Sequence, residues 1–379
     1  MNPSKYLGNE KKYLEQVLNS ETWSGTLGNW NNNLERKFAD RFGMKYAIAM
    51  NSGTATLHSA LAAYNIGIGD EVISPALTVI MDSTATLHAG AKPVYADVDR
   101  KTFNIDPQDI ERKITPKTRA IIVVSLYGLP CDMYEIMRIA NKHNLVVIED
   151  NAQCVLGKYM GRLAGTLSHI ASFSFESSKH LSCGEGGIVV TNDEIVAERV
   201  RKIAGHGYKN LKAEEGRVRL NADEFQKPSY KRHDTIGWNY RMPEFNAAIA
   251  LAQLERIDEL VGMRIKSANM FLDVIKDSSL LTPQYVPEGY ENSYYTLACV
   301  YNGENWEAFR KRYIKNGGDG IYGANSIPYQ EPVLKDDNIS CPVAEYLQSR
   351  MMQFKTNYRD MELAKLKADS LYKTLKEVA

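Results

Sequence analysis

One lysine sets the problem. Lys179 stands in "SFSFESSKHLSCGEGGIVV" (172–190), between a run alternating Ser and Phe and the turn Gly184-Glu185-Gly186-Gly187, which feeds a second apolar strand. Lysine is usually a solvated surface charge, whereas this context aims it inward. An inward amine has a chemical use. It forms a Schiff base with an aldehyde cofactor or a carbonyl substrate once it gives up its proton, and burial or a cationic neighbour favours that loss.

A carboxylate stands 29 residues earlier, where Asp150 ends the apolar run of "LVVIEDNAQ" (145–153). A carboxylate at a strand end can hold a metal, a ribose or a protonated ring nitrogen, or cap the following turn. Paired with an inward lysine it fits pyridoxal phosphate, with a Schiff base on one side and a pyridinium partner on the other. "NSGTATL" (51–57) adds a place for the phosphate. Ser52, Gly53 and Thr54 open a helix there, offering main-chain N–H groups and the Thr54 hydroxyl at its positive end. An ordinary N-cap uses the same residue types. Ser174 lies close enough in sequence to Lys179 to share the phosphate. In "GWNYRMPEFNAAIALAQLERI" (237–257), Pro243 sits at a helix start where its missing N–H costs little, and Asn239 and Arg241 occupy the turn before it.

Elements must hold these residues together. "YAIAM" (46–50), "EVIS" (71–74), "KPVYA" (92–96), "AIIVVSL" (120–126) and "LVVIE" (145–149) read as strands, with further strands near 170–175 and 187–191. The segments between the first five have helical apolar spacing. That alternation predicts an α/β fold, a mostly parallel sheet sandwiched by helices, whose site lies at the carboxyl ends of the strands. One long helical pattern runs from Pro243 to about 277, and its length suggests a link between two domains. Beyond it 293–302 reads as a strand, 304–317 as a helix and 343–379 as mainly helical. The expected division is a large cofactor-binding domain over 1–254, with an N-terminal helical segment, and a smaller α+β domain over 255–379.

Composition narrows the classes. Forty-six basic residues balance forty-six acidic ones in 379, so no global field favours nucleic acid or an anionic membrane. Five cysteines without a C-x-x-C pair and seven histidines without H-E-x-x-H speak against a disulfide framework and a metal site. The first residues have no apolar h-region and no run reaches the length of a membrane span, so a cytoplasmic protein is expected. Segment 201–233 departs from the neutral average, with nine Lys or Arg against four acids. It reads as mostly loop, either a solvated excursion or an anion site for a phosphate-bearing substrate.

In the order of these motifs the chain resembles the DegT/DnrJ/EryC1/StrS sugar aminotransferases, which have the aspartate-aminotransferase fold (fold type I). The resemblance runs from "WSGTLGNWNNNLERKFADRFGMKYAIAMNSGTATLHSAL" through "GDEVISPALTVIMDSTATLHAGAKPVYADVD", "VVSLYGLPCDM" and "VIEDNAQ" to the two stretches around Lys179 and Pro243. It implies that Lys179 carries the cofactor and shuttles the proton, and that Asp150 bonds the ring nitrogen. Gln153 is placed near the ring, and Gly53, Thr54 and Ser174 on the phosphate. It further implies that Asn239 reaches the neighbouring subunit's phosphate in a homodimer with shared active sites. Segment 201–233, including Arg217 and Arg219, falls where the family varies with substrate. Two positions depart from the family pattern: Val79 stands where a bulky aromatic usually covers the ring, and Glu176 stands where His is common. The implied reaction moves an amino group from an amino acid donor, L-glutamate, to a keto sugar acceptor on a nucleoside diphosphate, serving amino-sugar and surface-polysaccharide synthesis. Rival readings are a pyridoxal-phosphate sugar dehydratase or lyase and a non-catalytic sensor of the same fold. Lys179 itself disfavours the dehydratase, since one relative becomes a dehydratase by replacing this lysine with His. A nucleotide-sugar dehydrogenase or epimerase lacks its G-x-G-x-x-G after the first strand.

Overall fold

The computed structural model describes residues 6–26, 28–216 and 222–378. Two helices, α1 (Glu10–Leu18) and α2 (Trp30–Phe42), precede β1 (Tyr46–Met50). Strand and helix then alternate through α3 (Gly53–Ala63), β2 (Glu71–Pro75), α4 (Met81–His88), β3 (Lys92–Ala96), α5 (Pro107–Lys113), β4 (Thr118–Val124), α6 (Met133–His143) and β5 (Val146–Asp150). A hairpin, β6 (Lys158–Tyr159) and β7 (Arg162–Leu163), leads to β8 (Ile170–Ser174), β9 (Gly187–Thr191), α7 (Glu194–Ala204) and α8 (Ala222–Phe225). The remainder holds α9 (Glu244–Leu254), α10 (Ile257–Ile275), β10 (Leu281–Pro283), β11 (Tyr290–Glu291), β12 (Leu297–Tyr301), α11 (Trp306–Lys315), α12 (Pro342–Gln348), β13 (Met351–Phe354) and α13 (Met361–Val378).

Seven strands form the main sheet in the order β1-β9-β8-β5-β4-β2-β3. All run parallel except β9, which pairs antiparallel with both neighbours. Its central strands are buried on both faces: Ile121, Ile122 and Val123 follow one another in β4 with no exposed surface. Each such side chain contributes about 1.5–3 kcal/mol by leaving water. A mostly parallel sheet under helices therefore matches the expected fold class, and it brings the carboxyl ends of β1, β2, β4, β5 and β8 to one edge. A second sheet, β10-β12-β13, is covered by α10, α11 and α13 around Phe271, Phe309, Tyr313 and Phe354.

One expectation changes. The helix from Pro243 is two helices, broken at Glu255 and Arg256. Arg256 leaves the helical region (φ −113°, ψ 18°), while Glu255 accepts hydrogen bonds from Asn9 and Tyr13, both 2.7 Å. The stretch 343–379 is mainly helical, as expected, with Met351–Phe354 pairing with β12 between α12 and α13. Where it is described, segment 201–233 is mostly loop, as expected, with Arg201 and Lys202 in the end of α7 and Ala222–Phe225 forming α8. No described helix is long and apolar enough to cross a membrane. All five cysteines are buried and none forms a disulfide.

Candidate active site

Where β1 ends, Ser52 is extended (φ −164°, ψ 160°) and its Oγ accepts the Ala55 N–H at 3.1 Å. Helix α3 therefore starts with the Gly53 and Thr54 N–H groups at its positive end. The space beside them has no room for side chains. A Cβ on Gly53 would lie 2.8 Å from Cβ of Ser174, and one on Gly187 would lie 2.7 Å from the carbonyl carbon and oxygen of Ser52. The ends of β1 and β8 and the start of β9 thus form a tight cradle with the Ser174 hydroxyl at its edge and Thr54 in the first turn of α3, suited to an anion.

Lys179 follows a turn made by Glu176. The Glu176 carbonyl accepts the Lys179 N–H at 3.0 Å, and its carboxylate accepts from the Ser178 N–H (2.9 Å), the Ser178 hydroxyl (2.6 Å) and the Ser177 hydroxyl. Burial alone would raise this carboxyl, but the serine donors and the Lys179 charge outweigh it and hold it below the ordinary range. Glu176 thereby shapes the loop that presents the amine. Lys179 Nζ lies 4.9 Å from the centre of the Tyr295 ring. The amine faces a cavity of about 560 Å³ whose wall includes Thr78, Val79, Tyr127, Gln153, Arg264 and Lys355.

Two carboxyls meet beside it. Asp150, at the end of β5, is 3% exposed; Asp82, in the first turn of α4, is 0% exposed, and the two carboxyls are electrostatic neighbours. One Asp150 oxygen accepts the Ala152 N–H at 2.8 Å, and Asp82 Oδ2 accepts from the Thr78 hydroxyl at 2.7 Å. Burial pushes both carboxyls up, and the charge of Asp150 pushes Asp82 further. Against burial, the Ala152 N–H, the Lys179 charge and the neighbouring Asp82 carboxyl draw Asp150 back. Lysine and Asp150 are therefore electrostatic neighbours.

Gln153 holds a strained turn. Tyr127 has φ 60° and ψ 9°, a region that costs a bulky residue on the order of 1–3 kcal/mol, and its N–H donates to Gln153 Oε1 at 2.9 Å. Val79 is half-buried at the cavity wall, a thin aliphatic cover in place of an aromatic ring.

The remaining expected residues lie elsewhere. Asn239 is exposed, with its main chain bridged to Gly205 and its carbonyl accepting from Asn51 at 3.2 Å; it does not line its own chain's cavity. Arg217 and Arg219 lie outside the described residues. Part of the basic segment is already engaged within the chain: Arg201 pairs with Glu35, Lys202 with Glu198 and Asp234, and Lys212 with Glu198. The structure adds Asp82 and Arg264. Asp82 carries a faint sequence signal, an acid four residues after Thr78 in an otherwise apolar run. Arg264 carries none, because its partners are main-chain carbonyls far away in sequence.

These residues fit pyridoxal phosphate. The glycine-walled cradle takes a phosphate, the lysine amine faces open space, and a buried carboxylate stands within charge range of it. Among the described residues no cluster suited to a metal ion occurs.

Over residues 6–367 the chain matches the model of the DegT/DnrJ/EryC1/StrS aminotransferase family. The chain belongs to this family. It is similar to a GDP-perosamine synthase of Caulobacter vibrioides, 42% identical over 68% of this chain and 64% of the relative. A GDP-perosamine synthase of Escherichia coli O157:H7 is 40% identical over 70% of this chain and 68% of its own. The chain thus spans about two thirds of the length of these curated relatives. Among solved structures, an aminotransferase from Psychrobacter cryohalolentis superposes with a TM-score of 0.89 at 30% identity, covering 100% of this chain and 99% of that one. With the family come the fold-type I scaffold, the aminotransferase class and its pyridoxal phosphate, as the sequence led us to expect.

Proposed function

We propose that this aminotransferase takes an amino group from an amino acid, L-glutamate first among candidates, and delivers it to a keto sugar carried on a nucleoside diphosphate. The likeness to GDP-perosamine synthases makes a GDP-linked keto sugar the first acceptor to test. The observation that carries the reading is the Lys179 amine facing the cavity with the buried Asp150 carboxylate in charge range. A dehydratase built on this fold by replacing the lysine is correspondingly disfavoured.

Pyridoxal phosphate, once bound, supplies an aldehyde for amine capture and a protonated ring that accepts an electron pair. Gly53, Thr54 and Ser174 would hold its phosphate through N–H and hydroxyl donors, and the Asp150 carboxylate would favour the protonated form of the ring nitrogen. Lys179 Nζ takes a proton from the substrate carbon of the donor and returns one to the carbon of the acceptor, acting as base and then acid. Gln153 keeps the Tyr127 turn against the cavity. Arg217 and Arg219 contact the diphosphate in this reading, and charge reversal there raises KM for the acceptor while the glutamate half-reaction keeps its rate.

The working unit in this reading is a homodimer. Asn239 is exposed beside Trp238 and Ile236, which are 38% and 81% exposed, as a residue serving a neighbouring subunit's phosphate would be. The smaller domain, 255–379, supplies Arg264, Tyr295 and Lys355 to the site. The deciding experiment is the absorbance spectrum of the purified protein. L-glutamate alone should remove the visible band of lysine-bound cofactor, and a GDP-linked keto sugar should restore it. A band indifferent to glutamate would turn the reading towards another donor or a lyase.

A further inference from the structure

Asp82 lies outside the residues that the proposed mechanism uses, yet it is the least solvated acid at the site. Its Oδ2 accepts the Thr78 hydroxyl at 2.7 Å. Its Oδ1 is buried and has no hydrogen-bond partner among the described residues, while the Asp150 carboxyl is its charged neighbour. Two carboxylates cannot bond each other unless one carries a proton, and two adjacent buried anions are strongly disfavoured. Asp150 has the claims of an anion, namely the Ala152 N–H at 2.8 Å and the Lys179 charge. Asp82 is offered only a hydroxyl. The titratable groups facing it are Asp150 and Tyr95, the latter hydrogen-bonded to Ser83 at 3.0 Å, with Lys179 beyond Asp150.

We infer that Asp82 is a carboxylic acid that donates its Oδ1 proton to Asp150, fixing the carboxylate in the orientation required toward the cofactor ring. The inference rests on the reading of Asp150 as the ring-nitrogen partner. It makes Asp82 a positioning residue rather than a catalytic one. It also explains an otherwise costly feature, a buried acid without a cation, because the neutral form removes the charge and the shared proton uses the orphaned oxygen. The hydrogen bond has a second effect: it withdraws electron density from Asp150 and so sets how firmly that carboxylate can hold the ring-nitrogen proton.

The test has a readout independent of turnover. The infrared difference spectrum of wild type minus Asp82→Asn, on protein as purified near pH 7, should show the C=O stretch of one protonated carboxylic acid; its absence would overturn the inference. Asn at this position still donates to Asp150 and accepts from Thr78. Asp82→Asn should therefore keep kcat within about threefold, while Asp82→Ala loses about tenfold or more with little change in donor KM. If Asn fails to restore what Ala removes, or if Ala costs nothing, the positioning role is wrong. A wild type with no visible cofactor band would instead sink the proposed function, and the infrared result would still decide the state of Asp82.

Discussion

Arg264 grips the main chain of the lysine loop: its guanidinium donates to the carbonyl oxygens of Ser178 at 2.6 Å and Lys179 at 3.1 Å, and to that of Tyr295 at 2.6 Å. Burial pushes this arginine down to about 9, so it is still charged at neutral pH. A planar fork that bridges three carbonyls has no equivalent in an ammonium. Arg264→Lys is therefore expected to lower kcat by about 10- to 100-fold through displacement of the amine. The cofactor band should broaden or shift while far-ultraviolet dichroism stays unchanged. Wild-type kinetics in this variant would show that the grip is dispensable.

The two central roles separate cleanly by substitution. Lys179→Ala removes the amine and should leave no turnover and no lysine-bound absorbance. Asp150→Asn keeps the shape and loses the charge. It should retain cofactor and lose roughly two or more orders of magnitude in kcat, an effect confined to the charge-dependent step. An Asp150→Asn enzyme at full speed would remove that carboxylate from the ring nitrogen.

Much of this site was legible because its residue types are anomalous where they stand. A lysine between apolar strands and an acid closing "LVVIED" demand an explanation that a surface charge does not. The parallel strands were legible for a related reason, since burial on both faces gives unbroken apolar runs. What stayed hidden depends on contacts between distant parts of the chain. The helical period continues through Glu255 and Arg256, and only their partners at Asn9, Tyr13 and Glu259 break it. "MMQF" lacks β-branched residues and alternation, and becomes a strand by pairing with β12. Arg201 counted as one of many charges in a basic segment, yet it is 5% exposed and bound to Glu35.

Acid should weaken the fold through its buried histidines. His58 has Nδ1 3.0 Å from the Tyr240 hydroxyl and is pushed down to about 4, first by burial and then by the charge of His88. An unfolded histidine titrates near 6.5. Between those values the unfolded chain holds a proton that the folded one does not, so stability is complete above about pH 6.5 and falls as pH drops towards about 4. His180, buried and pushed well below its ordinary value by burial and then by Arg264, acts in the same sense. Urea midpoints should be lower at about pH 5 than at about pH 7.5, and His58→Gln should flatten part of that slope. An equal slope in the variant would exclude His58 as a source.

The ion pair of Arg201 and Glu35 offers a test of stability away from the chemistry. Arg201 donates to both oxygens of Glu35, at 3.1 and 2.8 Å, and to the Ala213 carbonyl at 2.7 Å, while Glu35 also accepts the Ala49 N–H of β1 at 2.9 Å. Removing one partner leaves the other charge without its counter-ion in a dry site, which costs about 3–5 kcal/mol, whereas replacing both can be close to neutral. Arg201→Met and Glu35→Gln should each lower the unfolding midpoint, and the double variant should recover a large part of the loss. Since β1 leads directly into the Gly53 cradle, the Arg201 variant should also bind cofactor more weakly. Additive losses in the double variant would mean that the two side chains act separately, and unchanged cofactor affinity would confine the pair to holding α2, α7 and β1 together.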